Sequence, residues 1–152
     1  MNSVALDFQD QIRSLLKEAN RSLDTADHLA YVTYPIVKEL KLLVTITENL
    51  YLSMIYAMEA MLQYDYLYKR ISYVPHDFNS KYDMFKRVAQ KYNINRLQVA
   101  LLLDLRSLLE SHKKSPVVFT RQDKIVICSD SYKTMKTLNI DKVKEYLNTI
   151  KP

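Results

Sequence analysis

Residues 49–66, "NLYLSMIYAMEAMLQYDY", belong to the most regular apolar pattern in the chain. Large apolar side chains recur there at alternating spacings of three and four, which places them on one face of an α-helix. The stripe consists of Leu43, Ile46, Leu50, Met54, Ala57, Met61, Tyr64 and Tyr68. Because heptad stripes pack helices at shallow angles, the sequence predicts a helix over about residues 37–70 inside a helical bundle.

The other side of this helix carries a polar column. Its members are Asn49, Tyr56, Gln63 and Arg70, seven residues apart, with Glu59 one turn from two of them. Such a column either faces water or supports a site inside the bundle. We interpret it mainly as a solvated face.

Three more helices are predicted before residue 115. The first covers residues 3–34 and ends at Pro35, since proline interrupts helix hydrogen bonding. A short helix over residues 80–92 follows the loop "SYVPHDFNS". The fourth begins near Arg96 with Asn95 as its cap. Its stretch "LQVALLLDL" is apolar almost all round, so it is central in the domain or lies in a subunit interface.

Two β-branched runs, residues 117–120 and 124–128, flank Arg121-Gln122-Asp123 and predict a β-hairpin within residues 116–130. Without glycine, we expect a type I turn or a longer loop there. A short helix capped by Asn139 or Asp141 closes the chain. The predicted fold is mainly α: an antiparallel four-helix bundle with a C-terminal hairpin and a short terminal helix, in one domain over residues 1–152.

Composition excludes several functional classes. The 152 residues contain no glycine, which rules out Rossmann glycines, a phosphate loop and a nucleophile elbow. No apolar run approaches the roughly 18–20 residues of a membrane helix, and the first residues do not have the pattern of a signal peptide. We therefore expect a cytoplasmic protein without membrane contact, which a single cysteine also fits.

Positive charge is concentrated in the second half of the chain. The net charge is +5; residues 1–72 hold 7 Lys/Arg and 9 Asp/Glu, whereas residues 73–152 hold 15 and 8. A polyanionic partner and an ordinary basic surface both agree with this distribution.

Residues 105–114, "LRSLLESHKK", place Arg106 and His112 where the fourth helix turns basic. Six residue steps give about 600°, so the two side chains point roughly 120° apart on a straight helix. A structural interpretation accounts for both: Arg106 pairs with Glu110, and His112 favours the negative end of the helix dipole.

Other candidate sites have weaker support. The histidines, at positions 28, 76 and 112, show no metal-binding spacing, so we expect no metal and no cofactor. Cys128 fits a buried strand position. The run "YDYLYKRISY", residues 64–73, has the side chains to stack on bases, but two of its tyrosines belong to the core stripe. A winged helix-turn-helix is disfavoured because "LQVALLLDL" has no polar face to contact bases.

Residues 15–112 resemble the HEPN superfamily of small helical bundles. "ANRSLDTADHL" is similar to the first helix of that family and "NLYLSMIYAMEAML" to its second. The family's fourth helix ends in an arginine, four to six residues and a histidine, here Arg106 and His112.

The resemblance implies a metal-independent ribonuclease that commonly dimerises. Arg106 would hold the scissile phosphate and His112 would transfer protons, with the RNA 2′-hydroxyl as nucleophile. Supporting roles would fall to Asn49, Glu59 and Ser107, although the family more often has asparagine or aspartate at the position of Ser107. Positions that would extend an RNA-facing surface are Lys113, Lys114, Arg121 and Lys124.

The leading hypothesis is therefore a HEPN-like RNA-binding protein or metal-independent endoribonuclease that forms a homodimer. The alternative is a non-catalytic interaction or dimerisation module, such as a toxin–antitoxin or scaffold component. In that case the apolar fourth helix or the tyrosine-rich second helix would bind a protein partner or a second copy.

Overall fold

The computed structural model describes residues 2–114, 117–128 and 135–151. These residues form helices α1 (Asn2–His28), α2 (Tyr34–Val37), α3 (Lys41–Leu67), α4 (Phe78–Ala89), α5 (Arg96–Lys114) and α6 (Ile140–Ile150). The strands are β1 (Val117–Arg121), β2 (Lys124–Cys128) and β3 (Met135–Leu138). A mainly helical protein with an antiparallel hairpin and a terminal helix is therefore confirmed.

Helices α1 and α3 form a long antiparallel pair. The buried residues Ala19, Ser22 and Ala26 are small, which lets the two backbones approach closely. Ser53 of α3 donates a hydrogen bond to the carbonyl of Ala19 at 2.8 Å, and this bond fixes the helices relative to one another. The face of α1 that packs on α3 is apolar, with Ile12, Ala19 and Ala26 buried, and the same face continues at Ala30 in the following π-helical turn.

Helix α3 is central because it contacts α1, α4, α5 and α6. Its first half shares one apolar core with the second half of α5, with β2, β3 and α6. Its second half shares another core with α4 and the first half of α5. Helix α5 therefore runs antiparallel to α3, and its side chains reach both cores.

The stripe on α3 is buried only over its first part. Leu43, Ile46 and Leu50 are fully buried, but Tyr64 and Tyr68 are exposed, so their assignment to the core is wrong. A heptad repeat drifts by about 20° per repeat on a straight helix, which turns the last positions away from the core. Tyr68 also lies beyond the last residue of α3.

The predicted helix end at Pro35 is wrong. A π-helical turn, Leu29–Thr33, lets the chain continue into α2, where Pro35 occupies an N-terminal position that needs no N–H donor. The helix ends at Lys38, whose φ of 55° is left-handed. Helix α3 consequently begins at Lys41, four residues later than predicted.

Side-chain caps fix the starts of three helices. The predicted cap of α5 is confirmed as a reciprocal pair, in which Asn95 and Gln98 each accept from the other's backbone N–H. Asn139 caps α6 through the N–H of Lys142. Asp77 caps α4 by accepting from the N–H of Ser80, a bond that lowers the pKa of its carboxyl.

The predicted hairpin is confirmed, and it belongs to a three-stranded antiparallel sheet in the order β1-β2-β3. Arg121 pairs with Lys124 across a two-residue loop, and Gln122 has a φ of 58°. The expectation of a type I turn or longer loop is therefore wrong, because a type I turn needs negative φ at that position. Cys128 is buried at the end of β2, as predicted. No helix in the described ranges is both long and apolar enough to cross a membrane.

Candidate functional site

Helix α5 carries Arg106 and His112 in its second half. Leu101, Leu105 and Leu108 are buried and hold one face of the helix against the core. Both candidate residues are half-buried, since they lie on the flanks of that apolar face. Their positions are thus set by the packing of the leucines rather than by a loop.

The Arg106 guanidinium is held by three contacts, which we call the Arg106 cluster. It donates a hydrogen bond to the Tyr51 hydroxyl at 2.8 Å. Its Nε lies 3.3 Å from a carboxylate oxygen of Glu110, as the sequence predicted. Its central carbon lies 3.8 Å from the ring centre of Phe78. Stacking and hydrogen bonding together leave this cation oriented but about one third exposed.

Arg106 and His112 line the same cavity, which has a volume of about 400 Å³. We call it the Arg106–His112 cavity. Helix α3 forms one wall and α5 the other, and the lining consists of Glu48, Tyr51, Leu52, Arg106, Leu109, Glu110, His112 and Lys113. Although the two side chains point roughly 120° apart on α5, they line the same cavity, because α3 forms its opposite wall.

His112 also borders a second cavity, of about 580 Å³, between the start of α3 and the sheet. That cavity is mainly apolar and is lined by Glu39, Leu40, Lys41, Val44, Thr45, Thr120 and Ile125 in addition to His112. The imidazole thus borders both cavities, of which the Arg106–His112 cavity carries more charged side chains.

The Arg106–His112 cavity contains charges of both signs. Arg106 and Lys113 supply two cations, and Glu48 and Glu110 supply two carboxylates. Glu110 is engaged by Arg106, whereas Glu48 makes no ion pair or side-chain hydrogen bond within the described residues. The cavity is therefore lined by a guanidinium, an imidazole and one uncommitted carboxylate.

The three predicted supporting residues lie outside the cavity lining. The Asn49 amide donates to the carbonyl of Thr45 at 2.9 Å, one turn back on α3. Glu59 forms an ion pair with Lys81 that ties α3 to α4. Ser107 accepts a hydrogen bond from Lys136 of β3, on another side of α5 from the cavity.

The predicted RNA-facing cations are divided between two places. Lys113 lines the cavity, and Lys114 follows it as an exposed residue at the end of α5. Lys124 is exposed at the start of β2, next to Ile125 in the wall of the apolar cavity. Arg121 is paired with Lys124 through the backbone, and its side chain lies outside the described part.

Sequence reasoning missed Tyr51, Phe78 and Glu48. Tyr51 lies on α3 between the apolar stripe and the polar column, so neither periodicity selects it. Phe78 begins α4 directly after its cap, where an aromatic residue suggests only packing. Arg106 gives only a general signal, since a guanidinium needs an acceptor and favours an aromatic face, and this does not say which residues supply them.

A second polar cluster lies at the far end of α3, and we call it the Asp65 cluster. Asp65 is fully buried and accepts hydrogen bonds from the Tyr92 hydroxyl and, at 3.3 Å, from Arg70. Lys91 lies 3.9 Å from its other oxygen. Burial and the bond to Asp65 raise the pKa of Tyr92 to about 12.

The polar column does not face water as a unit. Asn49, Tyr56 and Gln63 are half-buried, and the side-chain oxygen of Gln63 is buried without a hydrogen-bond partner in the described structure. Arg70 lies beyond the end of α3 and joins the Asp65 cluster. The interpretation as a solvated face is therefore wrong for most of the column.

Among the residues that the structure covers, no three His, Cys, Asp or Glu side chains are arranged to hold a metal ion. Comparisons of the chain with protein-family models, with curated proteins and with solved structures give no match.

Proposed function

We propose that this protein is a cytoplasmic, HEPN-like four-helix-bundle protein that binds RNA and cleaves it without a metal. The observation that carries the proposal is that Arg106 and His112 line one cavity between α3 and α5. A guanidinium that is held by three contacts and still exposed at its edge is suited to a phosphate. Histidine is the side chain most often used for proton transfer in general acid–base catalysis.

The proposed reaction is an internal transfer within the RNA. The 2′-hydroxyl oxygen attacks the neighbouring phosphorus and its proton passes to a base, while the bond from phosphorus to the 5′-oxygen breaks. A proton supplied by an acid completes the leaving 5′-hydroxyl, and the other product is a 2′,3′-cyclic phosphate. Attack and departure occur on opposite sides of phosphorus, so the base and the acid should approach from opposite directions.

His112 and Glu48 fit these two roles. They lie on opposing walls of the cavity, His112 on α5 and Glu48 on α3. Glu48 is the uncommitted carboxylate, since Glu110 is engaged by Arg106. We assign Glu48 to remove the 2′-hydroxyl proton, protonated His112 to supply the leaving-group proton, and Arg106 to hold the non-bridging oxygens.

The cleavage assay that tests this proposal uses fluorescent single-stranded RNA of mixed sequence in the presence of EDTA. Cleavage should persist under chelation and produce 2′,3′-cyclic phosphate ends. His112→Ala should slow it by a factor of at least about 100, because a positioned acid typically contributes 10²–10⁴-fold. His28→Ala is the matched control, since His28 is exposed on α1 and lines a different depression.

The proposal fails if the wild-type protein cleaves no RNA across a broad panel. It also fails if His112→Ala cleaves as fast as His28→Ala. Arg106→Ala should weaken substrate binding and slow cleavage, and thermal melting of each variant shows whether the fold is retained.

A second candidate function is a non-catalytic interaction module, for example a toxin–antitoxin or scaffold component. The observation that favours it is the exposure of two apolar side chains on α5, Leu97 at 74% and Leu103 at 42%. A homodimer formed through α5 is compatible with either function. The salt dependence of binding distinguishes the two functions. RNA binding should weaken steeply from about 50 to 200 mM salt, whereas binding through an apolar interface should not.

A further inference from the structure

The C-terminal end of α3 and the segment after α4 form a surface that is both aromatic and basic. We call it the tyrosine–lysine surface; its members are Tyr64, Tyr68, Lys69, Arg70 and Lys91. Tyr68 is 52% exposed, and the Tyr64 and Tyr68 ring centres are 4.7 Å apart. The Arg70 guanidinium lies 5.6 Å from the centre of each ring, which keeps both rings and the cation in one patch.

The members of the tyrosine–lysine surface include three cations and no acidic residue. Residues 66–76 and 84–97 contain six Lys/Arg and no Asp or Glu. Asp65 precedes the first range; it is fully buried and already accepts from Tyr92 and Arg70. Between the two ranges lie Asp77, which caps α4, and Asp83, which pairs with Lys86 at 3.2 Å. The outward field of the surface is therefore positive, which is complementary to a polyanion.

This surface is connected to the Arg106–His112 cavity. The loop over residues 68–77 begins at Tyr68 and ends beside Phe78, whose ring centre lies 3.8 Å from the Arg106 guanidinium. Along α3, the 17 residues from Tyr51 to Tyr68 span about 25 Å. A chain several nucleotides long would therefore cover both places, and a mononucleotide would not.

We propose that the tyrosine–lysine surface binds single-stranded RNA, as the continuation of the strand whose phosphate enters the cavity. The path of the strand into the cavity rests on the proposed function. The contacts of the surface with bases and phosphates do not depend on it. Exposed tyrosine rings stack on bases of any sequence, and lysine and arginine side chains neutralise the phosphates between them. A folded duplex would not supply the unstacked bases that these rings require.

The test measures fluorescence anisotropy of a labelled ten-nucleotide 2′-O-methyl RNA, which cannot be cleaved because it lacks the nucleophile. Tyr68→Leu, which keeps the bulk of the side chain, should weaken binding about tenfold. Tyr31→Leu is the matched control, because Tyr31 is an exposed tyrosine near two lysines at the opposite end of α1 and α3.

Charge is tested with Lys69→Gln and Lys91→Gln. Each should reduce the slope of log affinity against log salt by about 0.7, the value for one phosphate contact on a single strand. Lys38→Gln is the control for Lys69, since both lysines end a helix with left-handed backbone, at φ of 55° and 59°. Thermal melting confirms that each variant is folded.

The two hypotheses fail separately. If Tyr68→Leu and both lysine variants bind the decamer as tightly as the wild type, or if the wild type does not bind it, the surface proposal is overturned whatever the cleavage result. If binding depends on Tyr68 and the lysines but no RNA is cleaved in EDTA, the surface proposal stands and the ribonuclease proposal fails. Decaglutamate that binds with the same dependence on Tyr68 would overturn the assignment to RNA and indicate an acidic protein partner.

Discussion

The Asp65 cluster and the Arg106 cluster contain the same three kinds of side chain: an arginine, a tyrosine and a carboxylate. They differ in which member is removed from water. Asp65 is fully buried, whereas the carboxylate of the Arg106 cluster is about half exposed. In the first cluster the hydrogen bonds serve the carboxylate, and in the second they orient the guanidinium toward a cavity.

This difference in the burial of the carboxylates indicates different roles for the two clusters. A buried carboxylate is costly unless it is hydrogen-bonded. Tyr92 and Arg70 both donate to one oxygen of Asp65, and the other oxygen is buried without a hydrogen-bond partner in the described structure, so the loss of either donor should lower stability. An exposed arginine–carboxylate pair contributes little to stability, because water screens it and solvates both partners when it breaks. The Arg106 cluster can therefore be altered without unfolding the protein, which is the property expected of a functional site.

The largest effect should follow the replacement of the buried carboxylate. Asp65→Ala leaves the Tyr92 hydroxyl and Arg70 without their acceptor, and we expect the free energy of unfolding to fall by about 2–3 kcal/mol. Glu110→Ala, the equivalent change in the other cluster, should cost less than about 0.5 kcal/mol. Urea unfolding of both variants measures the contrast, and equal losses would show that the two clusters do not differ in this way.

A smaller effect is expected from Tyr92→Phe, about 1 kcal/mol, because Asp65 keeps Arg70 as a donor. The pH dependence of the free energy of unfolding shows whether the Tyr92 hydroxyl causes this loss. The pKa of Tyr92 is raised to about 12 in the folded protein, above the ordinary value near 10, so its contribution is complete below pH 10 and is lost as the pH rises toward 12.

Unfolding free energies at pH 9, 10 and 11 test that window. The wild type should lose stability across it more steeply than Tyr92→Phe does. Some slope should remain in the variant, because burial also raises the pKa of Tyr146 to about 12. Identical slopes in the two proteins would mean that the pKa of Tyr92 is not raised in the folded protein.

The helices and their caps could be predicted because their signals are local. Ala19 and Ala26 repeat within one helix, and Asn95 and Gln98 are three residues apart, so short-range periodicity and spacing suffice. The hairpin was found in the same way, from two β-branched runs. Strand β3 was missed because its four residues, Met135–Leu138, gain their structure only by pairing with β2.

The two clusters could not be predicted because their contacts join distant segments. Tyr51 and Arg106 are 55 residues apart, and Tyr92 is 27 residues from Asp65. In the sequence, nothing around Asp65 indicates that it is buried, and the turn after α4 supplies the hydroxyl of Tyr92 that bonds to it. Periodicity alone also misplaced Tyr64 and Tyr68 in the core, although both are exposed.

The smallest effect on stability should come from Tyr51→Phe, within about 0.5 kcal/mol. Arg106 keeps Glu110 and Phe78, and the freed N–H faces a cavity that water can enter. If the proposed reaction is correct, cleavage should nevertheless slow several-fold, because the guanidinium loses the partner that orients it. Tyr51 would then be a positioning residue, and its effect should disappear when Arg106 is already absent. The double variant Tyr51→Phe/Arg106→Ala should therefore cleave as slowly as Arg106→Ala alone, while a further loss in the double variant would show that Tyr51 acts independently of Arg106.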